Sequence, residues 1–159
     1  MSELPFADHD HDHCASGVLG HADKLAEEKG LRLTPVRRAA LEILLTGHRA
    51  MGAYEVLEQL NTKGFGNQPP VAYRALDFLV DNGLAHRVQR LNAFTACTQP
   101  DRHHRPVFLI CRDCEQVAEA DARDVQDTLS ASAERAGFII ERVNVEVLGL
   151  CPTCKGKAA

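Results

Sequence analysis

Six cysteines occur in this chain, and four of them form two pairs of identical spacing, Cys-Arg-Asp-Cys at 111–114 and Cys-Pro-Thr-Cys at 151–154. A two-residue gap lets one tight turn present two thiolates to a tetrahedral cation, so Cys111, Cys114, Cys151 and Cys154 together make a complete zinc set. The alternative is a redox pair of the thioredoxin type, which should open a helix in a βαβ unit and is not expected twice. Thirty-six residues separate the pairs. That is room for a helix and a strand, so one ion would tie the first strand of a domain to the end of its last.

A second set of ligand types is dispersed: His86, Cys97, His104 and Glu119. If the chain turns back at Leu91-Asn92, His86 lies directly across a hairpin from Cys97, with Cβ atoms about 5 Å apart. Imidazole and thiolate would then share one ion, completed by His104 in the following linker and by Glu119 after the first cysteine pair. Each member also has a plain alternative: a half-buried strand residue, a small core residue, a solvated linker residue and a surface charge. A third group, Asp8 to Cys14, offers imidazole, carboxylate and thiolate, and can bind metal loosely or stay solvated.

These groups need elements to position them. Residues 1–16 read as a flexible His/Asp-rich tail. A short helix is expected over Val18–Glu28, capped by Gly30. Thr34-Pro35 starts a second helix, with Val36, Ala39, Ala40, Ile43 and Leu44 on one face. Ala53, Val56, Leu57 and Leu60 mark a third. A fourth follows Pro69-Pro70, with Val71, Ala75, Leu76, Leu79 and Val80 inward. Leu84–Val88 and Ala93–Cys97 then read as two strands.

Helices followed by a hairpin make a winged helix-turn-helix, with the fourth helix as the recognition helix. Its outer side carries Tyr73, Arg74 and Asp77. Arg74 can pair bidentately with guanine or hold a phosphate, and Tyr54 can add a contact. Each is otherwise an ordinary exposed residue.

The expected organisation is therefore α+β: a winged-helix DNA-binding domain over 17–97, a polar linker over 98–105, and a small α/β zinc-binding domain over 106–159. In the last, Val107–Cys111 is a strand, Asp121 caps a helix with Val125, Leu129, Ala133 and Ala136 inward, and Glu141–Leu148 alternates as a strand.

Composition permits this. Hydrophobic residues make up 45% of 159 residues and charged residues 25%, as in ordinary globular domains. No run is long enough to span a membrane, and the N-terminus lacks signal-peptide features, so the expected location is the cytoplasm, where thiols stay reduced. The net charge is −4, but residues 17–96 hold ten basic against eight acidic side chains. A nucleic-acid reading must therefore rest on motif rather than bulk charge.

The run Val-Ala-Tyr-Arg-Ala-Leu-Asp-Phe-Leu at 71–79, His-His before a Cys-x-x-Cys, and a closing Cys-x-x-Cys resemble the ferric uptake regulator (Fur) family, most of all its zinc uptake regulator branch. The resemblance runs from about Val18 to Cys154. It implies a homodimeric repressor, with 106–159 as the dimerisation domain and 98–105 as a hinge linker, that binds AT-rich palindromic operators when loaded with metal. It further implies Cys111, Cys114, Cys151 and Cys154 as the structural zinc site and His86, Cys97, His104 and Glu119 as the regulatory one, with His103 a substitute for His104. Tyr54 and Arg74 fall at positions that contact DNA in the zinc branch. Iron-sensing members place a histidine where this chain has Arg49-Ala50 and lack a thiolate in the sensing site, so Cys97 favours zinc. The expected function is a zinc-responsive repressor, not an enzyme, with no membrane partner and no small-molecule substrate. The alternatives are an iron, manganese or peroxide sensor, a zinc buffer that binds no DNA, or a thiol oxidoreductase.

Overall fold

The computed structural model describes residues 6, 11–47, 49–100 and 105–157, with the side chain of His11 left aside. The chain divides into two compact units, Ala7–Arg102 and His103–Ala159 with Met1–Phe6, and each is described by itself.

The first unit runs α1 (His11–Lys29), α2 (Pro35–Leu44), α3 (Ala53–Thr62), α4 (Pro69–Asp81), β1 (Ala85–Val88) and β2 (Ala93–Ala96). Helix α1 starts at His11, inside the segment expected to be an irregular tail, rather than at Val18. Asp12 in its first turn complements the helix dipole, and Ser16 Oγ donates to the His13 carbonyl at 3.0 Å. Among the described side chains of this helix only Val18 and Ala22 are buried, which is why no apolar period announced its beginning. The tail residues 1–5 and 7–10 lie outside the described residues.

Helix α2 starts as its sequence dictates: Thr34 is the N-cap, its Oγ1 accepting from the Arg37 N–H at 3.4 Å, and Pro35 occupies the first turn. Helices α2, α3 and α4 supply the core of the unit through Leu41, Ile43, Leu44, Val56, Leu60, Leu76 and Leu79, all essentially inaccessible. On α4 the buried face uses Ala72, with Val71 and Val80 only half-buried. Strands β1 and β2 form an antiparallel hairpin. A two-bond bridge fixes it to the segment ahead of α3, with Met51 N to Phe94 O at 2.8 Å and Phe94 N to Met51 O at 2.7 Å. These elements make the expected winged helix.

The second unit runs β3 (Val107–Cys111), β4 (Val117–Ala120), α5 (Arg123–Arg135), β5 (Val145–Gly149) and α6 (Pro152–Lys157). Its sheet has the order β4-β3-β5, antiparallel on one side of β3 and parallel on the other. Strand β4 was not expected, since four residues with a central Glu119 carry too little apolar alternation to be read. Strand β5 begins at Val145, four residues after the Glu141 expected.

Asp121 does not cap α5. The cap position is Ala122, which makes no side-chain bond, and Asp121 instead pairs with Arg123 at 3.2 Å. None of the residues of α5 is buried, and Val125 and Leu129, expected inward, are exposed. No helix among the described residues is long and apolar enough to cross a membrane.

Candidate metal centres

The first cysteine pair sits where β3 ends. Arg112 N–H bonds the Gly149 carbonyl at 2.9 Å, Glu115 N–H bonds the Cys111 carbonyl at 3.0 Å, and Glu115 adopts a left-handed φ of 58°. This tight turn swings Cys114 back toward Cys111. The second pair opens α6, with Pro152 in the first turn and Cys151 just before it. The Cys154 N–H donates to the Cys151 sulfur at 3.4 Å, so that sulfur plays the part of a helix cap.

All four sulfurs lie within 4.8 Å of one another, and none is in a disulfide. Cys114 Sγ and Cys151 Sγ are 3.7 Å apart. A tetrahedron of Zn–S bonds of about 2.3 Å has edges of about 3.8 Å, so the sulfur set fits zinc. Two separate redox pairs would not bring all four together. The thiols also differ in acidity. Backbone hydrogen bonds from Cys151 and Cys114 hold Cys111 down at about 6, whereas the Cys151 sulfur and burial push Cys154 up to about 12. Without a cation the four cannot all ionise near neutrality. Metal binding must therefore displace protons, and affinity falls as pH falls.

The second set requires a correction of register. His86 is the Cα partner of Thr95, not of Cys97, and the Cys97 N–H bonds the Leu84 carbonyl at 3.0 Å. The hairpin turns through four residues, Gln89 to Asn92, instead of two, with Asn92 N–H reaching the Gln89 carbonyl at 3.1 Å and Asn92 in a left-handed φ of 45°. Positions 95 and 97 nonetheless point to one face of the strand line. Cys97 is thus a diagonal neighbour of His86 and remains within side-chain reach. A ring nitrogen of His86 and Cys97 Sγ lie within 4.8 Å of each other, with Cys97 fully buried and His86 Nε2 buried as well. A soft thiolate and an imidazole in a sheltered setting suit zinc. Glu119 is the third residue of β4, half-buried and paired with Phe108. His103 and His104 lie outside the described residues.

Among the DNA-contact candidates, Tyr54 is the second residue of α3 and is 68% exposed; Tyr73, Arg74 and Asp77 are exposed on α4. One feature near Tyr54 escaped the sequence reading. Glu55 accepts from the Gly52 N–H at 3.1 Å and from Arg49 at 2.7 Å, clasping the start of α3. The signal was present, since a glutamate three residues after a cap position is half of a capping box.

Residues 28–148 match the sequence profile described as the ferric uptake regulator family. That range includes the first cysteine pair and stops short of the second. The zinc uptake regulation protein of Escherichia coli (strain K12) is 33% identical over 138 residues, covering 86% of this chain and 81% of that protein. A solved zinc uptake regulator complexed with zinc and DNA superposes with a TM-score of 0.86 at 32% identity, covering 91% of this chain and 98% of its own. The crystal structure of holo XcZur superposes with a TM-score of 0.81 at 38% identity, covering 89% and 99%.

Proposed function

The chain belongs to the ferric uptake regulator family, and from that premise we propose that it is a zinc-responsive transcriptional repressor. It binds palindromic operator DNA as a homodimer when its regulatory site is loaded with zinc, and so controls zinc uptake and homeostasis genes. It works in the cytoplasm, by binding rather than turnover. The observation that carries the metal assignment is the buried Cys97 sulfur beside His86 on the hairpin of the DNA-binding unit, because a thiolate in the sensing set selects zinc over ferrous iron.

In this reading Cys111, Cys114, Cys151 and Cys154 hold the structural zinc, and His86, Cys97, His104 and Glu119 hold the regulatory one. Bound zinc supplies a divalent tetrahedral centre that accepts thiolate, imidazole and carboxylate at one point. Cys97 contributes as a thiolate, so its thiol proton leaves on loading, and His86 contributes a neutral imidazole nitrogen. Arg74 and Tyr54 face the DNA from α4 and α3. The homodimer covers apolar residues that the second unit leaves exposed, among them Val125, Leu129, Phe138, Ile139, Val147 and Leu148.

Loading favours repression only insofar as zinc binds the DNA-competent arrangement better than the alternatives. Linkage then requires operator DNA to tighten zinc binding by the same factor. Operator titrations against buffered free zinc, iron(II) and manganese(II) test the function. Zinc alone should drive tight binding at the lowest free-metal concentration. Absence of DNA binding at every metal level would sink the repressor and leave a zinc buffer. Equal response of wild type and Cys97→Ser to iron would move the chain to an iron sensor.

A further inference from the structure

Helix α3, which carries Tyr54, starts without a side-chain cap of its own. Its N-cap is Gly52, which makes no side-chain bond, whereas Thr34 caps α2 through its own hydroxyl. The backbone does not require glycine there. Its φ of −67° and ψ of 156° are open to any residue, and an added Cβ would meet Glu55 Oε2 only at an ordinary 4.0 Å. Glu55 takes over the capping instead, accepting from the Gly52 N–H at 3.1 Å. Arg49 in turn grips both carboxylate oxygens, Nη2 to Oε1 at 2.7 Å and Nη1 to Oε2 at 3.3 Å, a two-bond fork that fixes the Glu55 side chain in one orientation. Between them, Met51 is tied to Phe94 of β2 by the two-bond bridge. The chain entering α3 is thus anchored at residues 49, 51 and 52.

Tyr54 stands at the second position of that helix and is 68% exposed, so packing does little to aim its side chain and the backbone of the first turn has to do it. A helix start ordinarily frays, because its first amides lack intrahelical partners. We propose that Glu55 and Arg49 are positioning residues for operator recognition: their clasp holds the first turn of α3 in the geometry from which Tyr54 meets DNA. This rests on the DNA-binding function and the Tyr54 contact proposed above. It gives a carboxylate a favourable part in binding a polyanion, the reverse of what its charge alone would do. Deleting a negative charge near a DNA contact should tighten binding by simple electrostatics, so positioning and charge predict effects of opposite sign.

The test uses the full-length, zinc-loaded protein and fluorescence anisotropy on two duplexes: an operator selected by the wild-type protein from a random-sequence pool, and a scrambled duplex of the same composition. Losing a cap typically shifts a helix start by about fivefold, and a dimer has two, so Glu55→Ala should weaken operator binding roughly tenfold or more. On the scrambled duplex it should bind as well as wild type or better, with zinc content and circular dichroism unchanged because the Glu55 side chain is half exposed. Arg49→Ala should weaken the operator complex in the wild-type background and have little effect in the Glu55→Ala background, where no carboxylate is left to hold. Gly52→Ser, which gives α3 a cap side chain of its own, should restore Glu55→Ala to within about twofold of wild type. In a Tyr54→Ala background, Glu55→Ala should cost less than about twofold, since the clasp acts through that side chain. Wild-type or tighter operator binding by Glu55→Ala would overturn the proposal. So would equal losses on the two duplexes, or a full loss that persists in the Tyr54→Ala background. Operator binding by Tyr54→Ala at wild-type strength would remove the Tyr54 contact and the role of the clasp with it. A wild-type protein that selected no duplex at any zinc level would overturn the repressor function itself, a result distinguishable from failure of the clasp alone.

Discussion

The two sets of metal-ligand residues are built from opposite kinds of chain segment. Cys111, Cys114, Cys151 and Cys154 come from two tight turns of one unit, and all four sulfurs are already gathered within 4.8 Å. His86 and Cys97 are two candidate ligands, one on β1 and one just past the end of β2, and the candidates that would complete them, His104 and Glu119, stand on later segments. A complete thiolate set built into a small sheet would act as part of the fold, because the same residues that would hold the ion join β3 to α6. A pair that needs further ligands gains them only in some arrangements of the chain, which is what a sensor requires.

The largest expected effect breaks the first set. Cys111→Ser should lose the structural zinc and with it a binding free energy on the order of 10 kcal/mol, unfolding the second unit. Circular dichroism and size-exclusion chromatography should show lost secondary structure and lost dimer. Cys97→Ser should leave both intact and lower zinc-dependent operator affinity roughly a hundredfold, within the usual range of allosteric coupling. If Cys97→Ser unfolded the protein as Cys111→Ser does, the distinction between scaffold and sensor would collapse.

A smaller effect separates zinc from dimerisation as the support of the second unit. Leu129 is exposed on α5, and Leu129→Glu should weaken the dimer by about tenfold or more, read by analytical ultracentrifugation, while each chain keeps its structural zinc. The smallest concerns the DNA-binding unit alone. The Arg49 guanidinium, with the Gly52 N–H, holds the Glu55 carboxyl below the usual carboxylate range. That stabilisation is present above the ordinary carboxylate pKa and is lost as pH falls through the depressed folded value. Arg49→Ala should therefore melt slightly lower at neutral pH and converge with wild type in acid, by a small margin because the pair is half exposed.

Much of this was legible in the sequence because it is decided locally. Thr34-Pro35 caps α2 by its own chemistry, and the spacing within each cysteine pair sets the turn that gathers its sulfurs. The rest depended on contacts that periodicity cannot report. The hairpin register moved by two positions because the turn holds four residues and Asn92 accepts a left-handed conformation, so His86 and Cys97 meet diagonally rather than face to face. The spacing of Val125 and Leu129 marked an apolar face on α5, yet nothing in the pattern said that its own unit would leave it uncovered. Helix α1 reached back to His11 because dipole-matched aspartate, not apolar burial, supports its first turns.

The most direct test counts zinc while reading DNA binding. Native mass spectrometry of the dimer during graded chelation, run beside operator anisotropy, should show two zinc ions per chain at the start. Operator binding should disappear as the first ion per chain leaves, with the dimer and the remaining ion intact. Operator binding that persisted with one zinc per chain, or that vanished only when the last zinc left and the dimer fell apart, would contradict the division into scaffold and sensor.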